Sequence, residues 1–133
     1  MMKALTIAIA VGLALAACAT APSGPLKEGE VRVQALKTPG TIQPGGWQAT
    51  FEGVEKPDSE IKLTQACLTW VTLQFRDGPY CSIVASEDPA AKLVTSRHVT
   101  MNPNNYTIYG YLMYTYKGQT RQSNTVSGSL LVR

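Results

Sequence analysis

The chain has 133 residues, 44% of them hydrophobic and only 16% charged, and its 12 Lys and Arg against 9 Asp and Glu leave a net charge of +3 at pH 7. Its one histidine and three cysteines, at positions 98 and 18, 67 and 81, match no redox or zinc spacing. Past the N-terminus no stretch is apolar for the roughly 20 residues that a membrane-crossing helix takes, and the length fits one domain with a modest core.

In chain order, Lys3 supplies a small positive region, and Ala4 to Ala17 form an apolar run broken only by Thr6 and Gly12. That run is short for a span and suits the central region of a secretory signal peptide. It ends in Leu15-Ala16-Ala17-Cys18, which resembles the lipobox of bacterial lipoproteins. The resemblance implies that residues 1–17 are a signal peptide and that Cys18 becomes the diacylated N-terminus. Ala19 is not the aspartate that favours inner-membrane retention in enterobacteria, so the implied address is the outer membrane. More than one acyl chain makes such an anchor stable. Residues 18–29, with the small, proline-bearing stretch Ala19 to Pro25, are expected to be a tether, and 30–133 a single domain.

Within that domain the apolar period is two. Val31, Val33 and Ala35 alternate with Arg32 and Gln34; after Pro39-Gly40 and Pro44-Gly45-Gly46, so do Trp47, Ala49 and Phe51 with polar neighbours. Ile61 and Leu63 resume the pattern, and the denser Leu68 to Phe75 predicts a central strand ended by Asp77-Gly78-Pro79. Tyr80 to Ala85 and Val94 to Met101 follow as strands. After Asn102-Pro103-Asn104-Asn105 comes the most β-prone stretch, Tyr106 to Tyr116, turned by Lys117-Gly118, and Val126 to Val132 closes the domain. Seven or eight short strands without a helix predict an all-β, antiparallel β-sandwich. The Asn-Asn-Tyr entry into a long strand, a Gly hairpin and a last strand resemble the ending of immunoglobulin-like domains. By that resemblance Tyr106 stands where those domains keep a tyrosine whose phenol bonds back to upstream backbone. Cys67 and Cys81 depart from the pattern, being too close in sequence to join two sheets in the usual way.

Export makes a Cys67–Cys81 disulfide the expected state of the two cysteines that the lipobox leaves over. All nine acidic residues lie at or before Asp88, whereas Lys92, Arg97, Lys117, Arg121 and Arg133 follow it. The asymmetry either builds a basic face, suited to anionic headgroups or an acidic partner, or is erased where strands of the two halves interleave. Nucleic acid is not an expected partner outside the cytoplasm.

Catalytic chemistry finds little to work with. Asp58, Asp77 and Asp88 sit in turn-like sequence, and Ser96-Arg97-His98 lacks a marked acid and oxyanion hole, so His98 is expected to face solvent from a strand. No phosphate loop, paired-carboxylate motif or cofactor motif is present. Alternation along Tyr106 to Tyr116 puts Tyr106, Ile108, Leu112, Tyr114 and Tyr116 on one face and Tyr109, Tyr111 and Met113 on the other. Tyr109 and Tyr111, with Arg97, Lys117 and Arg121, make up the candidate binding face, ordinary cross-strand packing being the alternative use of the tyrosines. The expected function is a non-catalytic outer-membrane module that binds a protein or glycan or supports an envelope assembly. The alternative is a small inhibitor or exclusion factor, similar in size and anchoring to the periplasmic lysozyme-inhibitor lipoproteins but without their Ser-Gly-x-x-Tyr motif.

Overall fold

Most of the period-two pattern is realised as strand in the computed structural model, which describes residues 22–133. Residues 1–21, which include the expected signal peptide and Cys18, lie outside the described residues. The strands are β1 (Ala35–Lys37), β2 (Thr41–Ile42), β3 (Gly45–Glu52), β4 (Lys62–Val71), β5 (Arg76–Asp88), β6 (Leu93–Thr100), β7 (Asn104–Tyr116), β8 (Gln119–Gln122) and β9 (Val126–Val132). No helix occurs among the described residues. The protein is all-β, with nine strands rather than the seven or eight expected: β2 and β8 are too short to leave a periodic trace, the alternations at Ile61–Leu63 and from Leu68 belong to one strand, β4, and the strand expected over Val31 to Ala35 is reduced to a bridge between Arg32 and Glu55 ahead of β1.

The strands form one curled sheet in the order β1-β3-β6-β5-β4-β7-β9-β2, with β8 paired to β7. The expectation of a purely antiparallel sheet needs one correction: β2 runs parallel to β9. At Pro39-Gly40 the chain leaves β1, the partner of β3, and crosses to β9 as β2. Leu131 donates its N–H to the Gly40 carbonyl at 2.8 Å, and Arg133 to that of Ile42 at 3.0 Å. The bend in the sheet is carried by β5, whose first half pairs with β4 and whose last residues, from Val84 to Asp88, pair with β6. Two flanks thus face each other over a core that includes Val33, Leu36, Phe51, Leu68, Ile108, Leu112 and Leu130.

Gly110 is needed where the flanks close. A Cβ there would lie 2.7 Å from a Leu68 methyl and 3.1 Å from the Phe51 ring. The alternation along β7 follows the sequence: Tyr106, Ile108, Leu112, Tyr114 and Tyr116 are buried, and Tyr109, Tyr111 and Met113 are partly exposed.

Two further differences from the sequence reading lie around the β4–β5 turn. The strand expected over Leu68 to Phe75 ends at Val71, and Asp77-Gly78-Pro79 lies inside β5 instead of terminating a strand. Thr72 explains the first, because its hydroxyl accepts the N–H groups of Gln74 and Phe75, both at 3.1 Å, and so favours a turn over further pairing. Gly78 explains the second. It sits beside the register shift between Leu68 and Trp70 with φ at 126°, and a Cβ would meet the Leu68 carbonyl at 2.9 Å.

The segment assigned to the tether is packed from Gly24 onward. Arg32 is buried and must satisfy its guanidinium donors, which it does on Glu30 at 3.0 Å and on the carbonyls of Gly24 and Pro25. Tyr114 donates its phenol to the Gly29 carbonyl at 2.8 Å, and Tyr116 donates to Glu28 at 2.8 Å. Charges from the two halves of the sequence interleave: Lys92 pairs with Glu55 at 3.5 Å and Lys117 with Glu28 at 3.2 Å.

Candidate functional site

Where β5 changes partners, two strand edges diverge. From Arg76 to Ile83, β5 pairs only with β4, and from Arg97 to Thr100, β6 pairs only with β3. Between them opens a cleft of about 320 Å³. Trp70 from β4, Tyr106 from β7 and His98 from β6 form its buried floor, and Phe75, Tyr80 and Met101 its exposed rim. The rings touch in series: Trp70 to Tyr80 at 6.3 Å nearly parallel, Trp70 to Tyr106 at 6.4 Å, and Phe75 to Tyr106 at 6.5 Å edge-on.

Among the described residues, the exposed large apolar side chains are Leu73, Phe75, Tyr80, Ile83, Val99 and Met101. All but Ile83 lie in the cleft lining or in the adjoining β4–β5 turn, where Leu73 is 100% exposed. A cluster of this kind at one end of a small domain marks an interaction site more readily than scattered apolar residues do.

The polar groups of the cleft are held by identifiable bonds. Asp77 accepts the Tyr80 phenol at 2.6 Å, which raises the tyrosine's pKa. Tyr106 is shifted up by burial and by the charge of Asp77, and its phenol donates to the Asn102 carbonyl at 2.8 Å. That bond is the upstream backbone contact that the Asn-Asn-Tyr sequence implied.

His98 corrects an expectation: it is 5% exposed and faces inward. The pleat of β6 decides this, since Val94, Ser96, His98 and Thr100 point to the core while Arg97 and Val99 point out. Its Nε2 lies 2.7 Å from the Ser96 hydroxyl and its Nδ1 3.4 Å from that of Ser82. The Trp47 and Trp70 rings lie 5.6 and 6.3 Å away, and burial pushes its pKa down to about 4, so the ring is neutral near pH 7. Ser96 is wholly buried, and among the described residues no carboxylate hydrogen-bonds the imidazole. The Ser96-His98 pair thus forms a satisfied polar network at the floor of the cleft.

The five residues of the expected binding face fall in three places. Tyr109 and Tyr111 share the outer face of β7, opposite Thr69 and Cys67 of β4. Arg97 points outward from the other flank, opposite Gln48. Lys117 and Arg121 lie over the Tyr116 ring at 5.2 and 5.1 Å, beside the packed segment at Glu28 and Gly29. Cys67 and Cys81 are direct partners across β4 and β5, 4.0 Å apart at Cα and joined by a disulfide. No group of three or more His, Cys, Asp or Glu placed to hold a metal occurs among the described residues.

Sequence reasoning missed the cleft because its residues come from four strands and two turns. The one local signal was the pair of apolar residues Leu73 and Phe75 just before Asp77-Gly78-Pro79, which periodicity assigned to a strand.

The chain matches no protein-family model and no curated protein. Among solved structures it is similar to murine CRIg, at 13% identity and a TM-score of 0.43, over 74% of this chain and 97% of that one.

Proposed function

We propose that the protein is a non-catalytic lipoprotein, held in the outer membrane through acylated Cys18, whose immunoglobulin-like β-sandwich holds an envelope protein or glycan in the aromatic cleft. The observation that carries this reading is the gathering of Leu73, Phe75, Tyr80, Val99 and Met101 on exposed surface around one cleft. Strand order supports the sandwich. The flank β1-β3-β6-β5 follows the A-B-E-D order of immunoglobulin domains, and β9-β7-β4 with the first half of β5 follows G-F-C-C′. The Tyr106 bond to Asn102 supports it too.

Placement supports a partner beyond the anchoring bilayer. The packed segment at Glu28 and Gly29 meets Tyr114 and Tyr116 at the end of β7, and the cleft meets Tyr106 near its beginning. Ten residues of extended strand separate the two ends by about 34 Å. From Cys18 to Gly24 the chain spans at most about 20 Å, so an upright domain presents the cleft away from the membrane that holds it.

The test is photo-crosslinking in cells, with a photoreactive residue at Leu73 or, as the control, at Gln48 on the outer face of the other flank. A discrete adduct from position 73 that position 48 does not give is the expected result. Equal labelling from both, or none from position 73, overturns the reading.

A further inference from the structure

We infer that the cleft recognises a substituted ammonium group, the lysine side chain of a protein partner, seated against the aromatic rings and neutralised by Asp77. The inference rests on the cleft being the binding site and adds the chemistry of what enters it.

Charge decides first. Asp77 is the one acidic side chain in the cleft lining, which holds no lysine or arginine, and the His98 imidazole there is neutral near pH 7. One Asp77 oxygen takes the Tyr80 phenol, and among the described residues no lysine or arginine pairs with the carboxylate. Glu28, Glu30, Glu55 and Glu87 have such a partner, whereas Asp77 shares with Glu52, Asp58, Glu60 and Asp88 the lack of one among the described residues and is the only one of these five in the cleft lining.

The rings decide next. Trp70, Phe75, Tyr80 and Tyr106 form a continuous wall, with Trp70 and Tyr106 almost wholly removed from water. Aromatic faces carry negative potential and attract a cation within about 6 Å, more strongly where water is excluded. A lysine satisfies both features at once, its methylenes lying on the rim of Phe75, Tyr80 and Met101 and its ammonium between ring face and carboxylate. A purely apolar side chain would cover the same rings but shield Asp77 from water with no cation to pair it, at a desolvation cost, and an anion would be repelled. The standoff from the anchoring bilayer favours a protein lysine over a lipid headgroup.

The experiment uses the full lipidated protein in a non-ionic detergent and follows the Trp70 indole N–H signal by NMR. The probes are a blocked Gly-Ser-Lys-Ser-Gly peptide, the same peptide with norleucine in place of lysine, and choline. The lysine peptide is expected to shift the Trp70 signal with at least about tenfold higher affinity than the norleucine peptide, in line with a desolvated cation–π contact. D77N should erase that difference, and Tyr80→Phe, which keeps the ring and frees the carboxylate, should retain it. Equal binding of norleucine, an unchanged preference in D77N, or shifts confined to the Glu28 region overturn the proposal. Tighter binding of choline than of the lysine peptide overturns the protein source. Crosslinking from position 73 without any lysine preference would leave the binding module standing and sink the ammonium alone.

Discussion

Lowering the pH from 7.5 to 5 is expected to cost the folded protein about 2 kcal/mol through His98 alone. The ring is 5% exposed, and burial depresses its pKa from 6.5 to about 4. Below pH 6.5 the unfolded chain takes up a proton that the native state refuses. Stability is therefore full above pH 6.5 and falls steadily toward pH 4, approaching a total loss of about 3 kcal/mol. Glu28, Glu30 and Asp58 have lowered pKa values, so their contributions are lost only as pH drops below the ordinary carboxylate range. That separation leaves the window between pH 6.5 and 5 to His98. The assay is urea unfolding at half-unit pH steps, paired with the imidazole NMR titration, which is unambiguous because the chain has one histidine. His98→Gln keeps polar atoms near Ser96 and Ser82 and should flatten the curve across this window. An imidazole that titrates near 6.5 in the native protein, or a slope that persists in the glutamine variant, would refute the reasoning.

Other expectations follow from single features. Converting Cys67 and Cys81 to serine removes a link across 14 positions and should cost about 3 kcal/mol, read as a lower urea midpoint that reductant no longer changes. Gly110→Ala forces a methyl between Leu68 and Phe51 and should destabilise by about 1–3 kcal/mol; a neutral result would mean the flanks have slack. Tyr106→Phe gives up the bond to Asn102 at a cost of about 1 kcal/mol, measurable as a shift in unfolding midpoint with the slope unchanged. Intact mass of membrane-purified protein should show acyl groups on a chain that starts at Cys18, and Cys18→Ser should lose them.

Strand positions were legible wherever one face of a strand is buried and the other wet. Trp47, Ala49 and Phe51, and the alternation from Tyr106 to Tyr116, announce their faces because the pleat sends neighbours to opposite sides. The same rule misled at Leu68 to Phe75. Apolar density there reads as a central strand, yet the Thr72 hydroxyl closes a turn and leaves Leu73 and Phe75 in solvent. His98 was misjudged for the converse reason: a polar side chain points inward because Ser96 of its own strand and Ser82 of β5 satisfy both ring nitrogens, and the second partner is not visible in one strand's sequence. The cleft itself depends on β5 switching partners at Val84, a tertiary event that leaves no local signature.

The placement of the two ends of β7 also sets how the domain carries a load. The segment from Gly24 to Val33 is fixed to the far end of β7 and to Asn124, while the β4–β5 hairpin projects at the near end and is stapled at Cys67–Cys81. A pull between the entering chain and the hairpin tip runs lengthwise along β4 and β7, whose paired residues extend from Lys62–Thr115 to Val71–Thr107. The ladder is then loaded in shear, with its hydrogen bonds sharing the force together instead of opening one after another. The disulfide passes tension from β5 to β4 covalently. Along this axis the domain resists extension, whereas a sideways pull on β8 would peel away a four-residue strand with β7 as its single partner.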